Sequence, residues 1–501
     1  MQTPALIESP DISSTSDLKA NRLARDMGTL VLGSVLAAVF GAMVVFVVPR
    51  ITGIEDFGYW RIFLLYGGYV GFFHLGFGEG ALLSWAGKSL GRFHQELRPS
   101  LKFLIALHLL LLVPGCLIAL ALFPSRARFV AIAVLMFAML QNTAVLLQLA
   151  LQAARRFSPV AVAAAAPSGL FLAFAAFAAF RARPDYRALI YCYFLAWLIV
   201  LGFLWFAVRP LGPVSNISAW TIGKRYIMIG WPITLANTAI ALVQSSDRFV
   251  LSSAVSIYDF AQYSLAASAM MVPVAIIAAA ARVFFPHLAA SDKEEHPEMY
   301  GQAARLIVVV WCVLLPYYFA VDVFVHRFLP TYIESLPVAR TLLLGVLFIA
   351  AIQILQSSLF NLYGKQKHFL LYSMIAVGFS LTLAGLAVFF FHSLFLVAAV
   401  QVFSVGIFWL FNAWRLRSLT GESWRDFALV LGNFAWSAVS LRLAFSWTSN
   451  CVLRTVIYWL LAIGPLAWTC GDEIRGVGKI MARLNRLIWA SSWLSTNSER
   501  E

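Results

Sequence analysis

Fourteen runs of about 20 apolar residues follow one another along the chain, each long enough to cross the roughly 30 Å hydrocarbon core of a bilayer as a helix. They lie at 27–48, 59–85, 101–123, 129–152, 160–180, 188–208, 226–250, 261–286, 305–326, 338–360, 369–391, 394–414, 427–446 and 451–470. Hydrocarbon offers no partner to a backbone N–H or C=O, so a segment of this kind satisfies its own as a helix. Composition agrees: 61% of the 501 residues are hydrophobic and 12% charged, about half the charge of an ordinary soluble domain. A soluble protein is excluded, and no connection between runs is long enough to hold a soluble domain. The sequence predicts an all-α polytopic membrane protein with about 14 transmembrane helices.

The net charge of +14 does not mark a nucleic-acid surface, because Lys and Arg stand in short clusters between the apolar runs, as membrane-topology signals do. With the N-terminus inside, Lys19, Arg22, Arg25, Lys88, Arg92, Arg98, Arg155, Arg156, Lys224, Arg225, Lys365, Lys367, Arg415, Arg417 and the tail bases share the cytoplasmic side. About 24 bases then face in and about 9 face out, which predicts an N-in, C-in orientation. The exception is the loop from Arg181 to Arg187, which carries three arginines outside; an inside position would make the span count near 160–208 wrong. From Gly471 onward, Ile474, Val477, Ile480, Leu484 and Leu487 alternate with Arg475, Lys479, Arg483 and Arg486 at helical spacing, the pattern of a basic amphipathic helix lying on the cytoplasmic surface. The five cysteines are far apart and form neither a disulfide framework nor a metal site.

The two halves repeat. Ile54-Glu-Asp-Phe-Gly-Tyr-Trp60 matches Ile257-Tyr-Asp-Phe-Ala-Gln-Tyr263, roughly 200 residues on, and each copy opens a span. Pro114 and Pro316 interrupt the third and ninth spans, and Leu147-Gln148-x-x-Leu151 echoes Leu355-Gln356-x-x-Leu359. Spans 1–6 and 7–12 therefore form two parallel six-helix units, with spans 13 and 14 appended. The expected organisation is a cytoplasmic segment 1–26, a bundle 27–208, a cytoplasmic linker 209–225, a second bundle 226–414, two further helices within 427–470 and an amphipathic tail 471–501. Parallel repeats of this kind place a substrate site between bundles that rock, which favours a transporter.

Catalytic patterns fail. Gly87-Lys88-Ser89 lacks the upstream glycine of a phosphate loop, where Leu82 stands instead. Gly76-Phe-Gly78-Glu-Gly80 lacks dinucleotide spacing, and its glycines fit close helix packing or a bend. What remains are charges at membrane depth, costing about 2.5–3.5 kcal/mol each and functional by default: Arg61, Glu79, Asp247, Arg248, Arg282, Asp322 and Arg442. Snorkelling competes for Arg61 and Arg442, and His74, His108 and His326 read as packing groups rather than proton carriers. Glu79 and Arg282 occupy equivalent places in the repeat with opposite charge, which predicts a gating pair; separate snorkelling is the alternative. Asp247 and Arg248 are neighbours pointing about 100° apart on a helix, so each is expected to need its own partner. Arg248, with Arg61 and Arg282, offers forks for a diphosphate; Asp247, Glu79 and Asp322 could gate or couple an ion. Asn142, Gln148, Asn237, Gln244, Gln353 and Gln356 are expected to give uncharged hydrogen bonds to a polar cavity, or to hold the bundle together.

The run Pro49-Arg50-Ile-Thr-Gly53-x-x-Asp56-Phe57-Gly58-Tyr-Trp60, with Tyr69 and Leu75-Gly76-Phe-Gly78, resembles the opening helices of Wzx-type polysaccharide flippases of the multidrug/oligosaccharidyl-lipid/polysaccharide exporter superfamily. Trp231-Pro232 through Asp247-Arg248-Phe-Val-Leu-Ser252 to Phe260-x-x-Tyr263, and Leu362-Tyr363-Gly364-Lys365, look like the second-half counterparts. The resemblance implies two bundles around a central cavity in a bacterial inner membrane. It implies transport, without bond chemistry or cofactor, of an undecaprenyl-diphosphate-linked oligosaccharide, with H⁺ or Na⁺ as coupling ion and polysaccharide polymerase and chain-length proteins as partners. The alternatives are a MATE-like multidrug exporter and, in another class, an integral-membrane polymerase or glycosyltransferase, which would bring a large outer loop that this chain lacks.

Overall fold

The computed structural model describes residues 12–86, 90–208, 217–290, 295–420, 424–471 and 475, leaving aside the side chains of 12–27, 31, 90–94, 275, 277–290, 419–420 and 426. Those residues form helices and no strand. In chain order the helices are α1 Ile12–Ile51, α2 Ile54–Gly67, α3 Phe77–Trp85, α4 Leu90–Leu122, α5 Ser125–Ala153, α6 Phe157–Arg181 and α7 Tyr186–Val208. They continue as α8 Ala219–Val243, α9 Ser246–Ala254, α10 Ile257–Ala290, α11 His296–Leu314, α12 Tyr317–Phe328 and α13 Ser335–Ala351. The last are α14 Ser357–Leu362, α15 Gln366–Phe391, α16 Leu394–Thr420, α17 Trp424–Trp447 and α18 Cys451–Gly471. Among the described residues twelve helices are long and apolar enough to cross a membrane, where the sequence predicts fourteen. The difference falls on two segments. The second expected span is broken into α2, a 3₁₀ turn Val70–His74 and α3, and the eighth runs along α10, whose later side chains are outside the described set. The expected amphipathic tail, the first residues of the N-terminal segment and the first part of the linker also lie outside it.

Two compact units divide the chain at Leu235/Ala236, within α8. Large apolar side chains face outward, Leu110 at 70% exposure and Phe180 at 91%, while Ser373, Ser380, Gln401 and Asn412 are buried. A bilayer reverses the usual assignment in this way, since lipid accepts leucine and polar groups must find partners inside.

In the first unit α1 packs mainly on α6, where a Cβ on Gly33 would meet the Ala161 backbone at 2.7 Å. An aromatic stack ties α2 to α5, α6 and α7: Trp60 lies on Phe171 at 4.9 Å and edge-on to Tyr193 at 5.4 Å, and Phe137 joins Phe63 at 5.5 Å. The α6–α7 loop sits at the same end as the α1–α2 turn. Arg183 donates to the Thr52 carbonyl (2.6 Å), Asp56 accepts the Tyr186 N–H (3.3 Å), and Arg126 pairs with Glu55 (3.0 Å). Of the other two arginines in that loop, Arg187 donates to the Tyr186 hydroxyl (3.1 Å) and Arg181 lies over the Phe177 ring at 5.3 Å.

In the second unit α13 is the most enclosed element, packed by α10 and α16. It passes through a π-helical turn, Ile352–Gln356, into α14.

Candidate functional site

Each unit holds a broken helix with polar groups gathered at the break. In the first, the helical ladder stops at Gly67–Gly68 and restarts after Leu75 (φ 53°) and Gly76 (φ 81°), both left-handed. Non-helical backbone at this depth needs partners, and the side chains supply them. Asn142 donates to the Val70 carbonyl (2.8 Å) and lies 2.8 Å from His108 Nε2, whose Nδ1 is 2.8 Å from the Leu104 carbonyl. His108 therefore donates through Nδ1–H and accepts at Nε2. The Gly76 N–H donates to His74 Nδ1 (3.1 Å), which leaves the proton of a neutral His74 on Nε2. That nitrogen lies 3.8 Å from Glu79 Oε2, a buried oxygen with no hydrogen-bond partner.

The glycines of the Gly76-x-Gly78-x-Gly80 run are each spoken for. A Cβ on Gly76 would meet the Gly230 backbone and one on Gly80 the Tyr226 backbone, so α3 and α8 touch main chain to main chain; a Cβ on Gly78 would crowd Leu149 Cδ1 at 3.3 Å. At the far end of α3, Tyr226 donates to Glu96 and accepts from Trp85 Nε1 (3.0 Å) and Arg225 (3.2 Å), while Arg225 pairs with Glu96 at 3.1 Å.

In the second unit α8 ends at Val243 and α9 begins at Ser246. Gln401 donates to the Val243 carbonyl (2.7 Å), and its Oε1 accepts from Ser246 (3.1 Å) and Ser380 (2.9 Å). The break places Asp247 in the first turn of α9, so the expectation of separate partners for Asp247 and Arg248 is only half met. Asp247 Oδ1 accepts the Arg248 N–H (2.7 Å) and lies 3.7 Å from its Nε, and Oδ2 accepts from Tyr263 (2.5 Å). Arg248 Nη2 donates to the Gln244 carbonyl (3.0 Å), and its Nε is buried without a hydrogen bond.

The remaining expected site residues are dispersed. Asp322 pairs with Arg454 of α18 (2.8 Å), with His326 Nδ1 at 3.5 Å from its other oxygen, and Arg454 lies over Phe445 at 4.1 Å. Gln148 reaches the Ala163 carbonyl (3.4 Å), and buried Gln356 donates to the Trp409 carbonyl (2.8 Å). Gln353 lies half-buried in the π turn, Asn237 is exposed on α8, and Arg61 is half-buried on α2. The Arg282 side chain, and with it the expected pair with Glu79, lies outside the described residues. Sequence reasoning missed Arg454, Ser246, Ser380 and Gln401. A buried Asp322 near one end of its span calls for a cation at that end, and Arg454 was the readable candidate; nothing in the spacing singles out the serines and glutamine.

The described residues make an all-helical chain with twelve helices long and apolar enough to cross a membrane, and this fold has relatives among solved structures. A family model described as "Polysaccharide biosynthesis protein" matches residues 101–336, less than half of the chain. The solved structure of the lipid II flippase MurJ in an inward closed conformation is similar over 88% of this chain and 98% of that one, with a TM-score of 0.69 at 13% identity. An inward-facing MATE-family multidrug resistance transporter of the MOP superfamily aligns with a TM-score of 0.59 at 16% identity, covering 80% of this chain and 99% of that one. Its outward-facing counterpart aligns at 0.54 and 14%, covering 79% and 97%. No curated protein matches the chain in sequence. The resemblance read from the Asp247-Arg248 segment falls within the residues that the family model matches, and the fold agrees with the resemblance as a whole.

Proposed function

We propose that the protein moves an undecaprenyl-diphosphate-linked oligosaccharide repeat unit from the cytoplasmic to the periplasmic leaflet of a bacterial inner membrane, by alternating access, for surface or exopolysaccharide biosynthesis. The observation that carries this reading is the match of residues 101–336 to a polysaccharide-biosynthesis family within a flippase-type fold. Arg248 supports it, because a half-buried guanidinium with a spare N–H is a permanent, planar donor suited to a diphosphate. On this reading the protein is a transporter without bond chemistry, coupled to H⁺ or Na⁺, set N-in and C-in, and working beside a polysaccharide polymerase and chain-length proteins.

A MATE-like exporter of cationic drugs is the second reading, favoured by the likeness to two solved MATE structures. Purified protein in liposomes separates the two. Leaflet transfer of a fluorescent polyprenyl-diphosphate sugar, lost in Arg248→Gln, is the expected result. Drug efflux without sugar-lipid transfer would overturn it.

A further inference from the structure

We propose that the end of the first unit formed by the α4–α5 turn and the α6–α7 loop binds the phosphate headgroup of an anionic phospholipid, gripped by Arg187 and Arg126 on a shared base of aromatic rings. The inference does not depend on what the protein transports. The N-in, C-in orientation enters only in assigning the site to the outer leaflet.

The starting observation is positive charge where membrane topology expects little of it. Arg126, Arg128, Arg181, Arg183 and Arg187 come to the end of the unit that also holds the α1–α2 turn. Bases that set orientation gather on the cytoplasmic side, so topology supplies no reason for these. The acids of the same segments are Glu55, Asp56 and Asp185, and each has a local task. Glu55 takes Arg126 at 3.0 Å, Asp56 accepts the Tyr186 N–H, and Asp185 accepts the Ala188 N–H (2.8 Å) in the first turn of α7. Five arginines against three acids leave this end a positive field, which draws anions to it.

Arg187 and Arg126 are built into a platform with Tyr186 at its centre. The Tyr186 ring lies 5.1 Å from Tyr59 and 5.8 Å, edge-on, from Phe129. Arg187 stands over Phe129 at 5.4 Å and over Tyr186 at 5.6 Å, and its Nε donates to the Tyr186 hydroxyl (3.1 Å). Arg126 stands over Tyr59 at 5.7 Å. Rings hold a guanidinium by cation–π attraction, and using Nε for the phenol leaves the Nη edge of Arg187, a planar fork, for a phosphate. The backbone beneath is tied by Arg183 to Thr52 and by Tyr186 to Asp56, so both forks are in place before a ligand arrives.

Depth fixes the class of ligand. Arg126 and Arg187 stand in the first turns of α5 and α7, where a span meets the headgroups. The rings beside them face outward: Tyr191, one turn further along α7 and 5.8 Å from Phe129, is 61% exposed, and Phe177 and Phe180 are exposed on α6. A ligand on this platform touches hydrocarbon on one side and water on the other, as a lipid does and a soluble anion does not. Basic clusters at the ends of spans recognise anionic headgroups in this way. Phospholipid borders this rim at every moment, whereas a transported lipid reaches it once in a cycle, and that decides the occupant. A headgroup bridging Arg126 and Arg187 pins the starts of α5 and α7 to one leaflet.

The test reads the site locally. A fluorescent label on Ala182→Cys, in a cysteine-free background, is placed in liposomes of equal phosphatidylglycerol and phosphatidylcholine, with bromine on the acyl chains of one lipid or the other. Quenching by brominated phosphatidylglycerol should exceed quenching by brominated phosphatidylcholine several-fold. Arg126→Gln/Arg187→Gln should abolish the preference. Tyr186→Phe, which keeps every charge and removes the hydroxyl that orients Arg187, should lower it. Arg155→Gln/Arg156→Gln, an equal loss of charge at the other end of α5, should leave it unchanged. Equal quenching by the two lipids in the native protein, or a preference that survives Arg126→Gln/Arg187→Gln, overturns the site. Displacement of the brominated phosphatidylglycerol by a trace of polyprenyl diphosphate would give the platform to the transported lipid and overturn the choice of occupant. A preference that follows these variants stands even where sugar-lipid transfer fails, which would remove the transport reading alone.

Discussion

Asp322 shows what a single residue owes to its surroundings. As an acid in a span it reads as an ion-coupling candidate, yet it is bound to Arg454, a residue 132 positions away in sequence. Both side chains are largely buried, at 7% and 11% exposure, so removing one strands the other. Asp322→Ala or Arg454→Ala should each destabilise by about 3–5 kcal/mol, and the double replacement Asp322→Leu/Arg454→Leu by less than either. Thermal unfolding of the purified variants in one detergent checks the order; additive losses would show that the pair is not coupled. Tyr263→Phe removes the hydroxyl that donates to Asp247 and should cost about 1.5–3 kcal/mol, read in the same assay, since a hydrogen bond to a charged group is lost in a buried site. Residue identity was enough to draw attention to Asp247, Arg248 and Glu79, because charge in hydrocarbon is expensive wherever it falls. The partners were hidden, because they come from other helices.

Among the elements, the breaks were the least legible. A hydrophobicity pattern cannot distinguish one long span from α2, a 3₁₀ turn and α3, since every residue from Leu64 to Trp85 except His74 and Glu79 is compatible with an apolar helix. The interruption depends on Asn142 catching the Val70 carbonyl, and on glycines that allow α3 to lie against α8. Gly80→Ala and Gly230→Ala would each press a methyl group into backbone that cannot yield, and should cost about 1–3 kcal/mol, while Gly202→Ala, with open space around it, should be neutral. Yield of monodisperse protein and its melting temperature give the comparison. Gln401→Leu leaves the Val243 carbonyl unpaired at the second break and should destabilise by about 1–3 kcal/mol. Phe57 and Trp60 of the first matched segment and Phe260 and Tyr263 of the second are all core, and Tyr263 also donates to Asp247.

For the whole molecule, the ends of the helices carry the topology. Residues 182–185, 329–334 and 448–450 are expected on the periplasmic side and 154–156 and 363–365 on the cytoplasmic side. Cysteines placed at Pro184 and Asn450 in a cysteine-free background should react with an impermeant maleimide in intact cells, and one at Gly364 only after the membrane is opened. Reaction at Gly364 from outside would reverse the orientation. The loop at 182–185 is the informative case, because Arg181, Arg183 and Arg187 set there a cluster of bases on the side where the charge bias expects few.

Sequence alone determined the fold class and the approximate helix boundaries, because each follows from a local requirement: backbone in lipid must be helical, and a span needs about 20 apolar residues. It also narrowed the chemistry to a few charged residues. Only the tertiary structure decided which groups those charges meet. The energy of an ion or a hydrogen bond in a low-dielectric interior is set by groups within a few ångströms, and here they arrive from helices up to 158 residues away in the chain. That is why Asp247, Asp322 and Glu79, all acids within the expected spans, became a hydrogen-bonded helix start, a buried salt bridge and an acid 3.8 Å from a histidine.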